Sequence, residues 1–275
     1  MPDRALRVAL LAIPGTNCDR ELLVAAKALG ALPEVVQLSQ FGAEAPAGPT
    51  ERRLSDYDLL LLPGGFSGGD YVRAGAIFAA RLRTALGREL EEFLASDRLV
   101  GGICNGFQVL TELGLLPGQD DDRLGRPEAA LMTNDSGKYE CRPTYVRWDG
   151  GRFAPLGAVP PGTVYLFPSG HAEGKLVLDG GAERLRALEA SGQVLFRWVA
   201  PDGGPAKYPW NPNGSIGNVA GLTSPSGRVF GLMPHPERHF FHVQAPDWTR
   251  SGTAEGPGDG QRFLAAVLDH AARAR

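Results

Sequence analysis

The first hundred residues alternate short, continuous apolar runs with longer segments of helical periodicity. The runs at 7–14, 57–62 and 99–103 contain few charged residues, as expected for strands that are buried on both faces. The segments at 19–29 and 77–94 place apolar residues at helical spacing. Strands that alternate with helices form a parallel sheet covered by helices on both faces. The sequence therefore predicts an α/β fold.

The second half of the chain has shorter apolar runs between turns rich in glycine and proline. In the first half, a further strand is predicted at 34–38 and a further helix at 107–113. In the second half, strands are predicted at 141–148, 163–167, 193–199, 219–223 and 228–233, and helices at 182–190 and 263–272. Residues 224–227, Ser-Pro-Ser-Gly, are typical of a hairpin turn. This texture indicates a mixed or antiparallel extension of the parallel sheet. We expect a single domain, 1–275, with a central, mostly parallel or mixed sheet flanked by helices.

Composition excludes several classes of function. The chain has 28 lysine and arginine residues against 31 aspartate and glutamate residues, a net charge of -3 and no basic block, so nucleic-acid binding has no electrostatic support. The N-terminal apolar run is interpreted as a strand rather than a signal peptide, and no later run approaches the roughly 20 residues of a transmembrane helix. A soluble, cytoplasmic protein is expected. Residues 120–122 and 245–260 are expected to form exposed loops.

Cys104 carries the strongest catalytic signal. The chain has three cysteines, Cys18, Cys104 and Cys141, and this odd, widely spaced set suits neither a disulfide framework nor a zinc site with paired ligands, so no metal site is predicted. Cys104 is the centre of Gly-Ile-Cys-Asn-Gly, 102–106, between a buried strand and a helical run, which is typical of a nucleophile elbow. The helix N-terminus behind it favours the thiolate. The alternative is a buried structural cysteine in a glycine-rich turn.

His235 and Glu237 offer the base and the orienting carboxylate that a thiol nucleophile needs. They follow the predicted strand at 228–233, and Pro234 and Pro236 stiffen the turn that carries them. Without the elbow, a packed histidine and a surface carboxylate would be the better interpretation. Together with the elbow, the two residues complete a candidate catalytic triad.

A glycine-rich loop at 63–70, Pro-Gly-Gly-Phe-Ser-Gly-Gly-Asp, directly follows a predicted buried strand. It lacks the GxxxxGK[ST] pattern and the GxGxxG spacing, which argues against a phosphate-binding loop. An oxyanion hole is the better interpretation. The backbone N–H groups of Gly65, Phe66 and Asn105 are expected to face the oxyanion that forms when the thiolate attacks a carboxamide. One such donor typically stabilises the transition state by about 3 kcal/mol.

Several of these motifs occur together with others along nearly the whole chain. The stretches are 14–19 (PGTNCD), 62–70 (LPGGFSGGD), 73–77 (RAGAI), 102–108 (GICNGFQ), 141–142 (CR), 170–174 (GHAEG), 211–215 (NPNGS) and 233–238 (MPHPER). In this combination the sequence resembles the class I glutamine amidotransferases and, among them, the glutaminases of phosphoribosylformylglycinamidine synthase. The elbow is common to all class I amidotransferases, whereas NPNGS, MPHPER and GGFSGGDY are narrower and point to the purine enzyme.

The resemblance implies a flavodoxin-like fold and assigns roles to individual residues. By this resemblance Cys104 is the nucleophile, His235 the base, Glu237 its orienter and Gln108 a contact to substrate glutamine. Cys18 and Cys141 stand at family-typical positions, and packing is their expected role. The chain departs from the family's usual pattern at Gly68, where an aromatic residue is common.

The resemblance also implies a partner. Ammonia released from glutamine would serve a synthetase subunit that uses ATP and magnesium to convert formylglycinamide ribonucleotide to its amidine, often with a small bridging subunit. This chain carries no nucleotide-binding motif, so no cofactor is expected in it, and ATP and magnesium belong to the partner. The isolated chain is expected to be a poor glutaminase whose oxyanion loop is completed on docking.

Two other functions share part of these motifs. A γ-glutamyl hydrolase or intracellular peptidase on a similar fold would share the elbow and His235, but gives no reason for NPNGS or for a synthetase partner. A non-enzymatic redox sensor would use Cys104 as a reactive thiol. Because a sensor has no use for His235 and Glu237, loss of either residue would leave its thiol response largely intact, which separates the two classes.

Overall fold

The computed structural model describes residues 4–41, 51–118, 122–250 and 254–274. Within these ranges the chain forms a nine-stranded sheet in the order β2-β1-β3-β4-β11-β10-β9-β6-β7, a two-stranded sheet of β5 and β8, and five α-helices. The strands are β1 (Arg7–Ala12), β2 (Leu32–Gln37), β3 (Leu59–Leu62), β4 (Leu99–Ile103), β5 (Ala129–Thr133), β6 (Glu140–Trp148), β7 (Thr163–His171), β8 (Glu173–Leu178), β9 (Val194–Val199), β10 (Val219–Thr223) and β11 (Val229–Leu232). The helices are α1 (Asp19–Ala28), α2 (Ala76–Leu94), α3 (Asn105–Glu112), α4 (Gly181–Ala190) and α5 (Asp259–Arg273). None of these helices is long and apolar enough to cross a membrane.

Five neighbouring strands of the large sheet, β2, β1, β3, β4 and β11, are mutually parallel, and they carry the predicted elbow. Every residue of β3 and β4 is buried, as expected for strands covered on both faces. β11 lies beside β4, with Leu232 opposite Ile103. The residues that follow these two strands therefore emerge side by side at the carboxyl edge of the sheet.

The other four strands of the large sheet are antiparallel to their neighbours, which confirms the predicted α/β fold with a mixed sheet. The turn between β10 and β11 falls at 224–227, as predicted. β7 continues to His171, four residues beyond its predicted end at 167. This extension brings Gly170 to the edge at which β4 ends, where its carbonyl oxygen lies 3.7 Å from the Cys104 sulfur.

β5 and β8 are absent from the predicted strands. They pair with each other as an antiparallel sheet of two short strands. β8 begins at Glu173-Gly174, where a glycine weakens the strand signal. Helix α2, in contrast, continues through Gly87 as predicted. The cost of a glycine inside a helix, about 1 kcal/mol, is offset by the buried apolar face that Leu82, Leu86 and Leu90 provide.

The prediction of exposed loops is wrong at Asp122. Its side chain is buried, and its Oδ2 accepts hydrogen bonds from the Ser226 hydroxyl and the Arg228 guanidinium. A run of three aspartates suggests a solvated turn, but the sequence gives no sign of this distant arginine. Residues 119–121 lie outside the described residues. The second predicted loop, 245–260, includes a 3-10 turn at Trp248–Arg250 and the start of α5, and residues 251–253 are not described.

Candidate active site

Cys104 occupies a strained turn between β4 and α3. Its backbone angles are φ 52° and ψ -105°, a region that residues with a side chain rarely adopt. The glycines at 102 and 106, on either side of Cys104, are required for steric reasons. A Cβ at Gly102 would lie 2.5 Å from the backbone of Gly106, and a Cβ at Gly106 would lie 2.0 Å from the carbonyl oxygen of Leu62. The geometry is that of a nucleophile elbow, with the thiol at the N-terminus of α3.

His235 and Glu237 reach the same edge of the sheet from β11. Nδ1 of His235 lies 2.6 Å from Oε1 of Glu237, and both side chains are buried. Pro236 begins a 3-10 turn that ends at His239 and folds Glu237 back towards the imidazole ring. Because the carboxylate accepts the Nδ1 proton, it fixes the ring orientation and leaves Nε2 for the reaction. This is the relation of base and orienter that the sequence predicts for the two residues.

The imidazole of His235 has a raised pKa. Burial alone would lower this pKa, but the Glu237 carboxylate, followed by the thiols of Cys104 and Cys18, raises it well above its ordinary value. Among the described residues, Nε2 has no hydrogen-bond partner. A ring that keeps its proton in this way can act as the acid that protonates a leaving amine.

Gly64 lies where the candidate catalytic groups converge. A Cβ at this position would be 2.7 Å from Cε1 of His235, 3.4 Å from Cβ of Cys104 and 3.2 Å from the sulfur of Cys18. Any side chain at Gly64 would therefore displace the imidazole. The structure thus brings the elbow, the predicted base and a second cysteine into one small space.

The predicted oxyanion donors differ in availability. The N–H of Phe66 donates to the carbonyl oxygen of Gly15 at 3.0 Å, so in this conformation it does not face an oxyanion, contrary to the prediction. The reason is a short antiparallel bridge between Thr16 and Gly65 that aligns the two loops. The N–H of Asn105, in the first turn of α3, has no helical acceptor. Asn105 and Gly65 remain the predicted donors.

Gln108 lies beside Cys104 but uses its amide within the protein. Its Nε2 donates to the carbonyl oxygen of Glu173, and its Oε1 accepts a hydrogen bond from the Asn105 side chain at 2.9 Å. The side chain is buried. Gln108 therefore ties α3 to β8, and its contact to substrate stays a prediction.

Asp70 and Glu173 are two carboxylates near Asn105 to which the sequence assigns no role. Burial, followed by the nearby Glu173 carboxylate, raises the pKa of Asp70 to about 6. Asp70 has a strained φ of 51° and lies 3.5 Å from the Asn105 amide, and Glu173 accepts a hydrogen bond from the Ala74 N–H at 3.0 Å. The only signal for Asp70 is its place at the end of the glycine-rich loop, and 103 residues separate it from Glu173.

Cys18 and His171 also surround the triad. The Cys18 sulfur accepts a hydrogen bond from Nη2 of Arg238 at 3.0 Å, so it has a charged contact in addition to the packing role expected for it. His171 is buried and its Nδ1 lies 3.2 Å from Oδ1 of Asn134. Burial, and then the nearby His235, lowers the pKa of His171 to about 4, so this ring is neutral and supports the site without competing as a base.

Comparison with known proteins gives a consistent result. Residues 5–268 match the family described as CobB/CobQ-like glutamine amidotransferase domain. A relative from Archaeoglobus fulgidus, "Phosphoribosylformylglycinamidine synthase subunit PurQ", is 44% identical over 274 residues and covers 98% of each chain. A protein of the same name from Thermomicrobium roseum is 39% identical, with 96% of this chain and 95% of that one covered.

The fold has a counterpart among solved structures. In the "Structure of PurLQS from Thermotoga maritima", one chain matches with a TM-score of 0.72 and 30% identity, covering 97% of this chain and 99% of that one. A glutamine amidotransferase from the same organism, solved at 1.70 Å resolution, matches with a TM-score of 0.56 at 15% identity and supports the fold alone.

Proposed function

Since the chain belongs to the CobB/CobQ-like glutamine amidotransferase family, we propose that it is the glutaminase subunit of phosphoribosylformylglycinamidine synthase. The observation that carries this proposal is the strained Cys104 elbow beside a buried His235–Glu237 pair, in a chain 44% identical to a relative of that name over 98% of both chains. Glutamine would be hydrolysed to glutamate and ammonia, and the ammonia would be used in purine biosynthesis.

The proposed mechanism uses the elbow and the histidine in two half-reactions. The Cys104 thiolate attacks the carboxamide carbon of glutamine, and the N–H groups of Asn105 and Gly65 stabilise the oxyanion. The tetrahedral intermediate collapses to a thioester while the imidazolium of His235 protonates the leaving ammonia. The neutral imidazole then takes a proton from water, which attacks the thioester and releases glutamate. Glu237 stabilises the imidazolium in both steps.

Asp70 and Glu173 are suited to binding the α-ammonium group of glutamine. Their mutual repulsion contributes to the raised pKa of Asp70, so a cationic group between them would be stabilised by both carboxylates. Through Asn105 and Gln108 they are linked to the helix that follows the nucleophile. The α-ammonium distinguishes free glutamine from a glutamine side chain within a peptide, so this feature also favours glutaminase over peptidase.

Asp70→Asn is expected to raise the KM for glutamine about tenfold, roughly 1.4 kcal/mol, with kcat little changed, because a carboxylate that binds only the ammonium acts equally on substrate and transition state. In the wild type, KM should fall as the pH rises through about 6, where Asp70 becomes ionised. This fall in KM with rising pH should be absent in Asp70→Asn. Steady-state kinetics between pH 5 and 8 measures both effects, with exposed Asp97→Asn as the control. An unchanged KM would refute the assignment.

The ammonia acceptor is proposed to be a separate synthetase subunit, in some complexes joined by a small bridging subunit. ATP and magnesium would act there, and no cofactor is proposed for this chain. A cytoplasmic location is part of the same proposal.

An exposed apolar surface borders the site, comprising Phe66, Tyr71, Val72 and Tyr139, whose side chains are 45%, 89%, 74% and 48% exposed. The rings of Phe66 and Tyr139 lie 6.2 Å apart. We propose that the synthetase docks on this surface.

The test is glutamate release by the chain alone and with the cognate synthetase and its ligands. The wild-type rate is expected to rise at least about tenfold on docking, since docking completes the oxyanion loop. Val72→Arg should remove most of that increase, because burying an unpaired charge is costly, while the rate of the isolated chain stays the same. Val177→Arg is the matched control on β8, where the valine is 43% exposed. If the synthetase stimulated both variants equally, docking on the proposed surface would be excluded.

A further inference from the structure

Ser67 is a buried residue of the glycine-rich loop to which the proposed mechanism gives no role. Its side chain is 1% exposed, and its hydroxyl donates a hydrogen bond to Oδ1 of Asn105, the residue that follows the nucleophile. We propose that Ser67 is a positioning residue of the oxyanion hole, whose hydroxyl holds the two oxyanion donors, Gly65 and Asn105, at a fixed separation. This inference rests on the proposed function, because it concerns the oxyanion that forms during glutamine hydrolysis.

The two proposed donors belong to different parts of the fold. The N–H of Gly65 is in the loop that follows β3, and within the described ranges it makes no hydrogen bond to another backbone group. The N–H of Asn105 is in the first turn of α3. Such donors stabilise an oxyanion best when each lies about 2.7 to 3.1 Å from it. A small shift between the loop and the helix would therefore misalign one of the two donors.

The backbone fixes only part of the junction between this loop and α3. A Cβ at Gly106 would lie 2.0 Å from the carbonyl oxygen of Leu62, so the start of α3 packs directly against the end of β3. Beyond β3, the backbone of the loop is hydrogen-bonded to residues 14–18, and no backbone hydrogen bond joins it to α3 in the part of the chain that the structure describes. The hydrogen bond from Ser67 to Asn105 therefore supplies a link to α3 that the loop backbone does not.

Hydrogen bonding also fixes the orientation of the Asn105 carboxamide. Its Oδ1 accepts from the Ser67 hydroxyl, whereas its Nδ2 donates to Oε1 of Gln108 at 2.9 Å and lies 3.5 Å from Oδ1 of Asp70. The opposite orientation would place the amide oxygen against two other oxygen acceptors. The carboxamide therefore joins the loop on one side to Gln108 on the other, and Gln108 is in turn bound to β8.

Loss of the Ser67 hydroxyl would leave Oδ1 of Asn105 buried without a donor. Among the described residues, no other hydrogen bond reaches this oxygen. A buried polar group without a partner is costly, so the side chain or the start of α3 would move to satisfy it. Because bound glutamine carries no oxyanion, misaligned donors would weaken stabilisation of the transition state and leave substrate binding unchanged.

The test is Ser67→Ala, assayed by glutamate release in the presence of the cognate synthetase. The kcat is expected to fall at least about tenfold with KM unchanged, since loss of a whole oxyanion donor typically costs about 100- to 1,000-fold. Ser67→Thr keeps the hydroxyl and should retain most of the wild-type kcat. Ser224→Ala is the matched control, because it removes another buried serine hydroxyl at the turn between β10 and β11 and should leave kcat unchanged.

Alkylation of Cys104 by iodoacetamide separates positioning from damage to the nucleophile. No oxyanion develops in this reaction, so the Cys104 peptide should be modified at the same rate in Ser67→Ala and wild type, as measured by mass spectrometry. A wild-type kcat in Ser67→Ala, or a lowered kcat with equally slowed alkylation, would overturn the proposal. If the wild-type complex released no glutamate through Cys104, the proposed function itself would be refuted, which is a different result.

Discussion

Cys104→Ser is expected to lower glutamine hydrolysis at least about a thousandfold in the reconstituted complex, because a serine hydroxyl at neutral pH is a far weaker nucleophile than a thiolate. The strained φ of 52° at this residue serves to present the sulfur, and a serine would occupy the same turn with an oxygen that is not ionised. Glutamate release measures the loss. Activity of the synthetase with added ammonium salt should persist, since only the source of ammonia is removed.

The control for this prediction is Cys141→Ser, which removes the exposed thiol and should keep most of the activity. Both variants should melt near the wild-type temperature. If Cys104→Ser kept more than about a tenth of the activity, the thioester mechanism would be wrong. If neither the wild type nor the complex released glutamate through Cys104, the peptidase and redox-sensor interpretations would become the better ones.

The parallel half of the fold could be predicted because its signals are local. The four leucines of β3 and the five buried residues of β4 are continuous apolar runs, and a run of this kind identifies a doubly covered strand without knowledge of its neighbours. The elbow adds a steric signal, since the glycines at 102 and 106 are needed for the backbone to turn. β5 and β8 lack such signals because each borders only one other strand.

Side-chain partners across the site could not be predicted in the same way. The bond from the Phe66 N–H to Gly15 depends on how two loops lie against each other, and the burial of Asp122 depends on Arg228, 106 residues away. Asp70 and Glu173 are also separated by about a hundred residues of sequence. Motifs identified the triad because its chemistry restricts residue types, whereas its surroundings follow from packing that no local pattern encodes.

Glu237→Gln is expected to lower kcat at least about a hundredfold and to change its pH dependence. The Glu237 carboxylate raises the pKa of His235, so the imidazolium that protonates ammonia persists to a higher pH than an isolated histidine would allow. The neutral amide in the variant removes this stabilisation. The protonated ring is then lost at lower pH, and the alkaline limb of the kcat profile should move to lower pH by at least about one unit.

The matched control is Glu21→Gln, which removes the same negative charge from another carboxylate close to the site. Glu21 lies near the guanidinium of Arg238 but does not contact the imidazole of His235. Its pH profile should coincide with that of the wild type, which would show that the shift comes from the contact between Glu237 and His235 rather than from a change in net charge. An alkaline limb that stays in place in Glu237→Gln would mean that the ring does not act as the acid for ammonia release. The thiol response of a redox sensor would be insensitive to this substitution, so a lowered kcat with a shifted limb also separates catalysis from sensing.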